Sequence, residues 1–147
     1  MNLHLSVARL ASVRLLAAIA CLAAGVSFAQ DPRAVTAQKA ARDWLVLTDM
    51  ADATASRNAA GAKFKESIDV ENWADALAKA RAPLGALERR AMLSTKFDTA
   101  LPDGGPEGEF VLIAYRSTFA QKPESTETVT LERESDGNWR VIGYFIR

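Results

Sequence analysis

The chain has 147 residues, with 18 basic and 18 acidic side chains, one Cys and one His. A zero formal charge and the absence of a basic stripe argue against nucleic acid as a partner, and no polybasic segment is present to hold anionic lipid. The only Cys (Cys21) and the only His (His4) both fall in the first 29 residues, so residues 30–147 lack a thiol nucleophile, a disulfide and an imidazole. Ser-His-Asp and Cys-His catalysis are thereby excluded for that portion within one chain.

The first 29 residues read as an export signal. Arg9 and Arg14 form a positive n-region, Leu15 to Val26 an apolar h-region, and Ser27-Phe28-Ala29 a small-residue cleavage site, with cleavage expected after Ala29. The uncharged run is shorter than the ~20 residues of a spanning helix. Ala18-Ile19-Ala20-Cys21 is a poor lipoprotein box, and Arg9 and Arg14 are not a twin-arginine pair. Export to the periplasm or beyond is expected, with no membrane attachment after cleavage. Removal of residues 1–29 leaves 118 residues with two basic groups fewer, hence a net charge of −2. That length is about one domain's worth, and residues 30–147 are expected to form one.

In chain order, Gln30 to about Ala53 reads as a long helix, capped by Asp31 or Thr36, with Pro32 in its first turn. Ala37, Ala40, Ala41, Trp44, Leu45 and Thr48 form its inner stripe. Asp43 and Asp49 fall on its polar face. Thr54 to Lys65 reads as a second helix, capped by Thr54 or Ser56 and weakened by Gly61. Asp69 caps a third, to about Arg81, with Trp73, Leu77 and Ala80 as its stripe; Pro83 and Gly85 end it.

From Ala86 the period becomes two. Leu93, Thr95, Phe97 and Thr99 alternate with Met92, Ser94, Lys96 and Asp98, and a Gly/Pro-rich turn runs from Leu101 to Gly108. Glu109 to Phe119 is the next strand, and Ala120 to Ser125 the next turn. Thr126 to Ile146 then forms a hairpin around Asp136-Gly137. Val129 and Leu131 share a face with Glu127. Straight alternation puts Trp139, Val141 and Phe145 on one face of the last strand, with Ile142, Tyr144 and Ile146 on the other. The expected fold is α+β: three N-terminal helices on a curved four-stranded antiparallel sheet.

Ala41-Arg42-Asp43-Trp44-Leu45, Trp73, Arg81-Ala82-Pro83-Leu84-Gly85, Arg89, Leu101-Pro102, Gly108-Glu109, Phe119, Glu127-Thr128-Val129-Thr130-Leu131 and Trp139-Arg140-Val141-Ile142-Gly143-Tyr144 resemble the domain-of-unknown-function family 4019 in order and spacing. The resemblance covers nearly all of the chain after the signal segment. It implies a small exported bacterial protein and carries no assigned activity. The order of elements is also similar to the cone-shaped NTF2-like and cystatin-like folds, an analogy of fold that leaves function open.

Three functions are compatible with these residues. The first is a non-catalytic envelope module binding a protein or peptide. The second is a small-ligand pocket between the first helix and the concave sheet face, with Trp44, Phe97 and Tyr115 as its lining. The third is an enzyme built on Tyr115 or Tyr144 with Asp43 or Glu127. No cofactor or metal is expected. Glu127 begins on the apolar side of its strand, where a carboxylate needs a partner. Arg89 or Arg81, on either side of the helix-to-sheet junction, is the expected one. The pair would be a structural lock or a polar spot at a cavity mouth.

Overall fold

A computed structural model describes residues 31–101 and 104–147. The expected export signal and cleavage site, with Cys21 and His4, lie outside the described residues. Among the described residues four α-helices precede the sheet: α1 (Pro32–Asp49), α2 (Ala53–Ala59), α3 (Ala62–Ser67) and α4 (Val70–Arg81), the last continued by a 3-10 turn, Ala82–Leu84. Strands β1 (Leu87–Asp98), β2 (Phe110–Phe119), β3 (Lys122–Arg133) and β4 (Trp139–Ile146) pair in the order β1-β2-β3-β4, antiparallel throughout. The fold is α+β, as the change of period near Ala86 predicts.

The long helix begins where expected. Asp31 accepts the Arg33 amide at 2.9 Å and Pro32 fills the first turn. It stops at Asp49, earlier than the alanine-rich pattern suggests, because Ala51 turns the chain with φ of 55°. Asp52, not Thr54 or Ser56, then caps α2 through the Ala55 amide at 2.8 Å. The second helix of the sequence reading is in fact two. At the break, the Gly61 N–H leaves the helical ladder and donates to the Val141 carbonyl at 2.8 Å. A side chain there would meet Glu134, Ile142 and Arg140 at 3.0–3.3 Å, so close approach selects glycine. That contact covers part of the free edge of β4, an edge that would otherwise offer unpaired backbone groups.

The core lies between the helices and one face of the sheet. Ala37, Ala41, Trp44 and Leu45 of α1 and Trp73 and Leu77 of α4 pack on Val111, Ile113, Tyr115, Val129, Leu131, Trp139 and Val141. All three tryptophans are buried. Ser56 holds two of them: its carbonyl accepts the Trp44 indole N–H at 2.7 Å and its hydroxyl accepts that of Trp73 at 2.9 Å. Each of these bonds satisfies a donor that burial would leave unpaired.

Irregularities in pairing decide which side chains reach this face. Leu93 is an extra residue in β1 between the Met92–Tyr115 and Ser94–Ala114 pairs. Ile142 is an extra residue in β4 between the Leu131–Val141 and Thr130–Gly143 pairs. A bulge reverses side-chain parity beyond it. Tyr144, opposite Val129, therefore shares the core face with Trp139 and Val141, whereas Phe145 points outward and is 58% exposed. This corrects the straight alternation read from sequence. Likewise β3 starts at Lys122, inside the expected turn, and accommodates Pro123 where its pairing with β2 slips between Ser117 and Phe119.

Candidate functional site

The most concentrated polar chemistry in the described structure surrounds Glu127. Its position in β3 faces the core, and the residue is completely buried. Ser117 and Tyr115 stand beside it on β2, the latter directly opposite in register. Arg90 comes from β1, opposite Ser117. Tyr144 comes from β4, Arg81 from the last turn of α4 and Asp49 from the last turn of α1.

Both carboxylate oxygens of Glu127 are fully used. Oε1 accepts from the Tyr144 hydroxyl at 2.6 Å, Arg90 Nη2 at 3.0 Å and Arg81 Nη1 at 3.1 Å. Oε2 accepts from Arg90 Nε at 2.6 Å and from the Ser117 hydroxyl. Arg90 also reaches Asp49, with Nη1 to Oδ2 at 2.8 Å and Nη2 to Oδ1 at 2.9 Å. Arg81 Nη2 binds the same Asp49. Two guanidiniums thus face two carboxylates, and the cluster is neutral. The arginine side chains are only 12% and 13% exposed and Asp49 22%.

The electrostatics reflect this closure. Burial opposes the positive charge of Arg90, but its bonds to Asp49 and Glu127 outweigh that and raise its pKa. For Arg81 burial also acts downward, and Tyr144 and Asp49 bring the net shift upward. Burial, reinforced by the neighbouring Glu127 carboxylate, pushes the Tyr144 phenol up. Burial does the same to Tyr115. Asp49 ends a helix, where the macrodipole disfavours an acid, and the two arginines supply the compensation. The cluster ties both long helices to all four strands.

The site residues read from sequence separate into three groups. Glu127 and Arg81 meet, as expected. Arg89 does not: it stands opposite Thr118, exposed on the outer face, and Arg90 takes the position at Glu127. Straight counting back from Phe97 and Thr95 favours the odd-numbered arginine; the extra residue Leu93 makes it the even one. Trp44, Phe97 and Tyr115 do not surround one opening. Trp44 packs among Phe64, Trp73 and Tyr144 at ring separations of 6.0, 5.9 and 5.4 Å. Phe97 lies half-buried against Trp139 at 5.8 Å with the Arg33 guanidinium over its ring. Tyr115 is buried, and its hydroxyl has no hydrogen-bond partner among the described residues. Asp43 pairs with Lys39 at the surface. Sequence reasoning misses Asp49, Arg90 and Ser117. The adjacent Arg89-Arg90 is the available signal for one of them.

Open space lies elsewhere. A groove of about 450 Å³ runs between the N-terminal half of α1 (Arg33, Thr36, Lys39) and the β3–β4 turn (Gly137, Asn138, Trp139). A smaller, mostly apolar cleft of about 220 Å³ separates α4 from the end of β4. Among the described residues, no three His, Cys, Asp or Glu side chains converge as a metal site, and no helix is long and apolar enough to cross a membrane.

Helices layered on an antiparallel meander, locked by a largely buried four-charge cluster, define a small α+β protein. The chain belongs to the family described as "Protein of unknown function (DUF4019)", which matches residues 40–144. No curated protein matches the chain. Among solved structures, the 1.8 Å structure of Aln2 from a Streptomyces species is similar at 16% identity, covering 80% of this chain and 92% of that one with a TM-score of 0.49.

Proposed function

We propose that this is an exported, non-catalytic binding module on an NTF2-like or cystatin-like frame, which engages a protein or peptide of the cell envelope. The observation that carries the reading is the closure of the Glu127 cluster. General acid–base work needs a group free to exchange a proton with a substrate. Glu127 instead spends both oxygens on four fixed donor side chains with no solvent access. A carboxylate so bound is a structural tie. The export signal supports an envelope location, and residues 30–147 lack imidazole and thiol.

A second reading has its own support. The groove between α1 and the β3–β4 turn has a volume within the range of small-molecule sites, roughly 300–1,000 Å³. It lies along the N-terminal half of α1 and is lined by Trp139 rather than by Trp44, Phe97 or Tyr115.

Cross-linking in the native envelope followed by affinity purification and native mass spectrometry separates the two. The module reading expects a stoichiometric polypeptide. A small-molecule adduct lost on Lys39→Glu would instead favour the groove. Turnover of a substrate that vanishes in a folded Glu127→Gln variant would overturn both.

A further inference from the structure

The sheet face turned away from the helices carries a second organised set of charges, at the end where β4 finishes. Arg116 of β2 stands directly opposite Thr126 of β3, and Thr126 exchanges two backbone hydrogen bonds with Arg147, at 2.8 and 3.1 Å. Residues directly opposite in a sheet share a face, so Arg116, Thr126 and Arg147 form one rung across three strands. Arg89, opposite Thr118, lies on the same face one diagonal away. Arg116, Thr126 and Arg147, with Glu124 and Ser125, line an open depression of about 410 Å³.

These arginines differ from the basic residues of the groove beside α1 in having no ion-pair partner among the described residues. Arg89, Arg116 and Arg147 are exposed, and none makes an ion pair among the described residues. Glu124, the one acid in the lining, bridges to neither guanidinium. The groove beside α1 differs, because its Arg33, Lys39 and Arg133 are already held by Asp31, Asp43 and Glu109. Positive charge is therefore available on the outer face and neutralised at the groove. It persists on a chain whose net charge after signal removal is −2.

We propose that this rung is an anion-binding surface that takes an acidic segment of a partner protein, a run of Glu or Asp side chains in extended conformation. The proposal rests on the binding-module reading and names its surface. Two strand spacings put the Arg116 and Arg147 backbones about 10 Å apart, and same-side carboxylates of an extended chain recur about every 7 Å. The reach of the arginine side chains closes that difference, so two carboxylates can be met at once, each in the fork geometry that guanidinium favours. Thr126 supplies a hydroxyl between them. An open depression on a sheet face suits a chain laid across it better than an engulfed small molecule.

The test is calorimetric titration of the signal-free protein with a hexaglutamate peptide. Saturable binding is expected at low ionic strength and is weakened by salt. Arg116→Glu and Arg147→Glu should each weaken it about tenfold or more, and the neutral Arg116→Gln and Arg147→Gln by less. Arg42→Glu, an equally unpaired arginine on the helix side, should leave it unchanged. Equal loss in Arg42→Glu would reduce the effect to overall charge and overturn the proposal, as would no saturable binding by the parent protein. Inorganic phosphate binding as tightly, and lost in the same variants, would assign the site to a small anion and overturn the acidic-segment assignment. A polypeptide that cross-links in the envelope while hexaglutamate fails to bind would remove this surface and leave the module reading standing. Failure of any polypeptide to cross-link would remove the module reading itself.

Discussion

Replacing Glu127 by Gln tests the central structural claim. The wild-type cluster holds two cations against two anions behind side chains that are 0–22% exposed. The substitution preserves volume but leaves Arg81 and Arg90 sharing Asp49 alone, with an amide N–H₂ that meets an arginine N–H in either orientation. Breaking one partner of a buried pair costs about 3–5 kcal/mol because the other charge is stranded. Arg90→Met should cost a similar amount, since Glu127 and Asp49 then depend on Arg81. In the double variant the remaining Arg81–Asp49 pair is again balanced, so the combined loss should fall short of the sum by about 1 kcal/mol or more. Arg89→Met, on the outer face, should stay within about 0.5 kcal/mol. Urea unfolding monitored by tryptophan fluorescence reads all four, because Trp44, Trp73 and Trp139 are buried. Strict additivity of Glu127→Gln and Arg90→Met, or a loss below about 1 kcal/mol for Glu127→Gln, would refute a coupled buried cluster.

Three further outcomes are expected. Trp139→Ala, which empties a buried site against Phe97, should cost about 3–5 kcal/mol in the same urea assay. Gly61→Ala should destabilise by roughly 1–3 kcal/mol, because its methyl would press on Glu134, Ile142 and Arg140 at the β4 edge. The chain has two tyrosines, and both hold their protons longer folded than unfolded. Their contribution to stability is therefore intact below the ordinary tyrosine value near 10 and declines as the pH rises through the folded values. Absorbance titration should show both tyrosines less than half ionised at pH 10 in the folded protein and ordinary titration in urea; half-ionisation of either tyrosine at pH 10 in the native state would contradict the burial.

Much of this architecture is legible because it depends on short-range pattern. Asp31-Pro32 and Asp69 announce helix starts through side-chain caps, and Asp136-Gly137 announces the last hairpin through the positive φ of Gly137. The burial of the three tryptophans is readable from their stripes, and Glu127's from its parity with Val129 and Leu131. The break at Gly61 is not legible as a break. The residue lowers helix propensity by only about 1 kcal/mol, and α2 is ended by the Val141 carbonyl, from a strand far along the chain. Asp49 is hidden for a similar reason. On a helical wheel it is one more polar-face acid, and only the arrival of Arg81 and Arg90 gives it a partner.

The two bulges explain both the errors and the site. Without the extra Leu93, the arginine sharing a face with Thr95 and Phe97 would be Arg89, and Arg90 would point to solvent. Without the extra Ile142, Tyr144 would join the outer face and Phe145 the core. Period-two reading makes the second choice and would favour the first as well, because alternation has no memory of an inserted residue. Yet Glu127 needs Arg90 and Tyr144 on its own side, and each reaches it only because one strand carries a residue more than its neighbour. The same reversals place Arg89 beside Arg116 and set Phe145 under the Arg147 guanidinium, 5.6 Å from its ring centre. A single register device thus sorts the charges into two populations. The inner set around Glu127 closes on itself and holds the fold, whereas Arg89, Arg116 and Arg147 of the outer face make no ion pair among the described residues.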